Sequence, residues 1–96
     1  MRFRYHPEAE EELLHSIRYY ESKAAGLGAE FLDEVEKTLA LIQSFPDLGT
    51  LLTQTDRRML VERFPYGIVY TKYEDYVMIY AVMHLKRRPG YWKPRK

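Results

Sequence analysis

The chain has no cysteine among its 96 residues, which removes disulfides, thiolate metal sites and a cysteine nucleophile from consideration. It has no run of 18 apolar residues and no apolar leader segment at its N-terminus, so a cytoplasmic protein without a membrane span is expected. It lacks repeats, low-complexity segments and any interdomain linker. One domain over residues 1–96 is therefore expected, long enough for a single modest core. Acidic residues are missing from the last stretch: beyond His84 there are six Lys/Arg and no Asp or Glu.

What is present is a globular composition, 46% hydrophobic and 30% charged, well away from that of a disordered chain. The net charge of +1 conceals a split. Residues 1–50 carry five basic against ten acidic side chains, and residues 51–96 carry ten basic against four acidic. A basic second half is either a solubilising surface or a cationic face for an anionic partner, nucleic acid or acidic protein.

Periodicity divides the chain into elements. Met1 to Tyr5 alternates apolar and basic residues, as a half-buried strand does. His6-Pro7 stops it, and Pro7 suits the first position of a helix, with Glu8, Glu10, Glu11 and Glu12 near the positive end of its dipole. Glu10 to Glu12 read as a solvated face. Ala9, Leu13, Ile17, Tyr20 and Ala24 form the apolar stripe, and Gly26-Leu27-Gly28 ends the helix. A second helix runs from about Ala29 to Phe45 on an apolar face of Phe31, Leu32, Val35, Leu39 and Ile42, closed by Pro46. So short a connection predicts an antiparallel hairpin.

From Arg57 the period changes to two. Strands are expected at Arg57–Phe64, Ile68–Tyr73 and Tyr76–Leu85, with turns at Pro65-Tyr66-Gly67 and Glu74-Asp75. The fold class is α+β in the order β-α-α-β-β-β, with a helical hairpin packed on one face of an antiparallel sheet. Leu13, Ile17, Phe31, Val35, Leu39, Ile42, Ile68, Val77 and Ile79 are the expected core. In the last strand, Val77, Ile79, Ala81, Met83 and Leu85 should meet the helices, leaving Tyr76, Met78, Tyr80, Val82 and His84 on the other face. That second face is too apolar to stay open. A partner chain, or the chain's own tail, should cover it.

These residues carry a resemblance. "HPEAEEEL", "YYESKAAGLGAEFLDEVE", "RFPYGIVY" and "IYAVMHLKRRPGYW", in this order and spacing, resemble the RelE/ParE superfamily of bacterial type II toxin–antitoxin toxins from Phe3 to Arg95. They are closest to the ParE-like branch, the plasmid stabilisation proteins. The resemblance implies a toxin held inactive by a cognate antitoxin whose C-terminal segment folds on binding. DNA contact would be indirect, through the antitoxin. The implied target is DNA gyrase for the ParE branch, or the ribosome for the RelE branch, whose members cleave mRNA.

The residues bear on that choice. RelE-type endonucleases resembled here carry an arginine just after the first tyrosine of the segment matching "YGIVY"; this chain has Gly67 there. For a nuclease, the remaining candidates are Arg63, His84, Arg87 and Tyr91, and His84 is followed by Leu85 where a His–Tyr pair would need tyrosine. Removing one preorganised cation from such a site costs about 10²–10³ in rate, so two coincident losses favour grip over chemistry. A non-catalytic gyrase inhibitor is therefore the adopted reading, with a ribosome-dependent endonuclease and a non-toxic binding protein as alternatives. Lys86, Arg87, Arg88, Tyr91 and Trp92 are expected to contact the target, since arginine and aromatic side chains dominate binding hot spots. Met78, Tyr80 and Val82, with Arg57 and Arg58, are expected to contact the antitoxin. His6, His15 and His84 lack metal-ligand spacing, and no cofactor is implied.

Overall fold

The computed structural model describes residues 2–96; Met1, assigned above to the first strand, lies outside the described residues. Strand β1 (Arg2–Tyr5) leads into helix α1 (Pro7–Lys23), then α2 (Leu27–Ser44), strands β2 (Thr50–Leu51), β3 (Asp56–Leu60), β4 (Tyr66–Lys72) and β5 (Tyr76–His84), and a 3₁₀ turn at Lys93–Arg95. The sheet order is β1-β5-β4-β3-β2.

The sheet is mixed, which corrects the antiparallel expectation. β1 lies parallel to β5, with Phe3 opposite Val77 and Tyr5 opposite Ile79. The helical hairpin and strands β2 to β4 all lie between the two in the chain, so the parallel pair is closed by a long crossover, as parallel strands require. The edge strand β2 is an addition to the expected order; a two-residue pairing leaves no periodic signature in a sequence.

Local chemistry sets the helix ends. His6 Nδ1 accepts from Glu8 N–H at 3.1 Å, so the histidine caps α1 in the way a serine or asparagine would. α2 starts two residues earlier than expected because the Glu21 carboxylate accepts from Gly26 N–H at 2.9 Å and Gly28 N–H at 3.0 Å. Gly26 takes φ +87°, the left-handed region that favours glycine. At Gly28 a Cβ would come within 2.6 Å of Ile17 O, so the hairpin's helices touch through bare backbone.

β3 ends at Leu60 and β4 already contains Tyr66 and Gly67, which the sequence reading placed in a turn. Arg63 at φ +70° and a bond from Val61 N–H to Tyr66 O at 2.9 Å form the tight connection instead.

The main core lies between the hairpin and the sheet. Ala9, Phe31, Val35, Ile42, Ile68, Val77 and Ile79 are all fully buried there, with Leu13, Ile17 and Leu39 packed around them. Phe31 is its centre, with ring centroids 5.1 Å from Tyr20, 5.1 Å from Phe64 and 4.8 Å from Tyr66, distances at which aromatic pairs add attraction beyond their buried area.

β5 holds the principal surprise. Val69 pairs with Ala81, but the next residue, Tyr70, pairs with Ile79. Tyr80 is thus the extra residue of a β-bulge, and a bulge reverses the side-chain alternation beyond it. Val77, Ile79 and Val82 face the helices, whereas Met78, Tyr80, Ala81 and Met83 face away. The expectations for Ala81, Met83, Leu85, Val82 and His84 are corrected accordingly; Leu85 lies beside Arg58 over Gly67 and does not meet the helices. A strict period of two cannot announce one inserted residue.

The candidate interface at the end of the last strand

The second sheet face is covered by the chain's own tail. Trp92, 2% exposed, packs on Val69, Ala81 and Met83, with Tyr91 and Met78 alongside. Lys96 caps the far end: its ammonium pairs with the Asp56 carboxylate and stands 5.1 Å from the Tyr80 ring centroid. Asp56 also accepts from Thr71 and from Thr53. Burial alone would raise the Asp56 carboxyl, but the bonds from Lys96, Thr71 and Thr53 outweigh it and hold the group below the usual carboxylate range.

What fastens the tail is Glu12, which the sequence reading gave to a solvated helix face. β1 ends opposite Ile79, so the following groups on that edge of β5 have no strand beside them. Glu12 Oε1 accepts from Val82 N–H at 3.1 Å, and Arg95 donates to Tyr80 O at 2.9 Å. Glu12 and Arg95 are joined by two bonds of 2.9 Å, a two-point pairing that fixes orientation as well as charge. Their side chains are 15% and 8% exposed. Tyr91 Oη also donates to Glu12 at 2.7 Å; burial first, then the neighbouring carboxylate, pushes this phenol well above its ordinary value. The missed signal was a glutamate one turn after Ala9 and one turn before Ser16, the two buried residues of α1, together with an arginine in an acid-free tail.

The nuclease candidates are partly dispersed. Arg63 is tied to α2, 2.7 Å from Glu30 and 3.4 Å from Glu34, and is not brought to the others. His84 and Arg87 line one cleft of about 300 Å³ with Glu12, His15, Ser16 and Tyr66. His84 Nδ1 accepts from Lys86 N–H at 3.1 Å, and its ring meets Tyr66 edge-on at 5.2 Å. Arg87 lies 3.9 Å above the Tyr91 ring and 3.9 Å from Glu12 Oε2. A carboxylate therefore sits where a phosphate would need only cations. Among the described residues no group of His, Asp and Glu converges as a metal site.

The two arginines expected to act together are separated by strand alternation. Arg57 points to the helix side and donates to Asp47 O and Gly49 O, both at 2.8 Å. Arg58 lies on the second face, with its stem over Gly67: a Cβ there would be 2.9 Å from Arg58 Cδ. Tyr80 is nearly buried, its hydroxyl 2.9 Å from that of Tyr73, and Val82 is 2% exposed in the main core. Lys86 and Arg88 stand exposed in the loop after β5.

The family model for the ParE toxin of type II toxin–antitoxin systems, parDE, matches residues 3–89, the strand, hairpin and meander that carry this loop. The chain belongs to the ParE toxin family. Among solved structures it is similar to a chain described as the chromosomal ParDE TA system from P. aeruginosa, with a TM-score of 0.72, 13% identity, and coverage of 88% of this chain and 95% of that one. At that identity the likeness shows the shared α+β fold alone. No curated protein matches the chain significantly. This ParE-family toxin thus spends its C-terminal aromatics on its own sheet, and presents Lys86, Arg87 and Arg88 as the outward part of the segment. No helix among its described residues is long and apolar enough to cross a membrane.

Proposed function

We propose that this ParE-family toxin acts by gripping DNA gyrase without catalysing a reaction, and that a cognate antitoxin neutralises it. The carrying observation is the state of the side chains an RNA-cleaving site would need. Tyr91 is committed to Glu12, Arg63 to α2, and the cleft holding His84 and Arg87 contains a carboxylate with little exposure. Cleavage by 2′-OH attack needs a proton acceptor, a proton donor and unopposed cations. Grip needs only an anchored cationic loop. The Lys86–Arg88 loop is held from both ends, by β5 on one side and by buried Trp92 on the other, so little conformational entropy is lost when it docks.

The test compares purified toxin with gyrase, ATP and relaxed plasmid against toxin with translating ribosomes. Inhibited supercoiling that survives His84→Ala, but is lost when Lys86, Arg87 and Arg88 are neutralised together, is the expected result. Ribosome-dependent mRNA cleavage abolished by His84→Ala, with gyrase untouched, would overturn the proposal.

A further inference from the structure

Arg58 is conspicuous as a half-buried arginine because nothing among the described residues answers it. Arg57, Arg63 and Arg95 all have carbonyl or carboxylate partners. The Arg58 guanidinium has neither a hydrogen bond nor an ion pair among the described residues, and its Nε–H is sealed from solvent without an acceptor. A buried donor left unmet destabilises the fold by the desolvation it has undergone, so a matching acceptor should be taken up.

Its surroundings define what would meet it. Arg58 lines a pocket of about 210 Å³ whose walls are Leu52, Met83, Pro89, Gly90, Trp92 and Lys93. The pocket holds two cations and no carboxylate. Leu85 Cδ2 lies with the Arg58 stem over Gly67. Leu52 and Leu85 remain 37% and 41% exposed, so the cationic hole opens onto aliphatic surface. Nucleic acid presents phosphates and sugars, and its binding faces are rich in cations. A charged hole with an aliphatic border instead matches the apolar centre and polar contacts of a protein interface.

We infer that the Arg58 pocket seats an acidic side chain, flanked by apolar residues, from the antitoxin segment that neutralises this toxin. This rests on the antitoxin reading above and gives it a location: the carboxylate pairs with Arg58 beside Lys93, while its apolar neighbours lie on Leu52 and Leu85. It also explains why Gly67 has no side chain, since the Arg58 stem takes that space and points the guanidinium into the pocket. Arg58, rather than Arg57, Tyr80 or Val82, becomes the anchor on this face.

The experiment uses the free ¹⁵N-labelled chain and follows the arginine Nε–H resonances, with that of Arg58 assigned by its disappearance in Arg58→Met. Probes are a capped Leu-Glu-Leu tripeptide, its Leu-Gln-Leu counterpart and inorganic phosphate. The Glu peptide should move the Arg58 resonance saturably, and at least about tenfold more tightly than the Gln peptide, the margin of a charge-assisted bond. Arg58→Met keeps the aliphatic stem over Gly67, so its thermal midpoint should hold or rise while Glu-peptide binding disappears. Equal response to both peptides, an unmoved Arg58 signal, tighter saturation by phosphate, or a lowered midpoint in Arg58→Met would each overturn the inference. None of these readouts involves gyrase. A chain that spares gyrase but shows the Glu-dependent shift keeps the acidic-peptide site and loses the toxin mechanism; inhibited gyrase with a silent Arg58 does the reverse.

Discussion

The sheet of this toxin is covered on both faces, but by different physics. On the hairpin side, Phe31, Val35, Ile42, Ile68, Val77 and Ile79 have no exposed surface, and stability there follows from apolar area removed from water. On the other side one tryptophan does the same for Val69, Ala81 and Met83, and the segment carrying it is fastened by Glu12–Arg95, Glu12–Tyr91 and Asp56–Lys96. A non-directional contact fixes the first layer, and a few charge-assisted bonds fix the second. The two layers should therefore fail separately and in response to different perturbations.

The largest effect should come from Phe31→Ala. Phe31 is fully buried between Tyr20, Phe64 and Tyr66, and its truncation should cost about 3–5 kcal/mol of global stability. Urea denaturation followed by far-UV circular dichroism would show the loss as a lowered midpoint with an unchanged slope. A change below about 1 kcal/mol would mean that the hairpin side is not the dominant core.

Glu12→Gln attacks the second layer alone. It keeps the side-chain size but takes from Arg95, 8% exposed, the carboxylate that holds it by two bonds, leaving it only the Glu8 carboxylate at 3.9 Å among the described residues. Removing one partner of a fully buried pair costs about 3–5 kcal/mol; with Glu12 partly wet, on the order of 2 kcal/mol is expected, falling on the tail. Trp92 emission should shift to the red and amides of residues 91–96 should exchange faster, while those of β4 keep their protection. Uniform loss of protection across the chain would show that the two layers unfold as one.

This division also explains what the sequence disclosed. The hairpin layer was legible because its core residues obey 3.6 or 2, from Ala9 to Ile42 and from Ile68 to Ile79; Ala24, assigned to the same stripe, is instead the exposed C-cap of α1. The second layer was not. Its register depends on the Tyr80 bulge, a single inserted residue with no marker of its own, and its fastening joins Glu12 to Arg95 across 83 positions. Charged residues at such separation look solvated until the fold brings them together. The candidate site fared likewise: the basic loop was visible as a run of like charge, but that Trp92 anchors it and that Arg57 and Arg58 face opposite ways are consequences of packing and pleat.

Acid should loosen the same tail. Asp56 has a folded pKa held below its unfolded value of about 3.9. A depressed carboxylate contributes stability that is present above the unfolded pKa and is lost as pH falls through the folded one. Between neutral pH and about pH 4 the Asp56–Lys96 clasp should therefore be unaffected, and below that Trp92 emission should begin to shift ahead of global unfolding. Asp56→Asn should remove this early acid phase. An identical acid profile in wild type and Asp56→Asn would assign the transition to other carboxylates.

The smallest effect on stability should come from the loop that carries the proposed function. Lys86 and Arg88 are exposed, and their side chains touch no acid or ring among the described residues. Arg87, one position away, lies over Tyr91 and near Glu12, so its removal disturbs the tail as well as the surface. The double change Lys86→Gln/Arg88→Gln should leave the unfolding free energy within about 0.5 kcal/mol of wild type, with Trp92 emission unmoved. Its consequence should appear only in target association: a slower on-rate for gyrase and a weaker dependence of that rate on salt, as expected when rim charges that steer an encounter are removed. A fall in stability comparable to that of Glu12→Gln would mean that these two cations belong to the second layer, and that the loop is part of the fold's fastening.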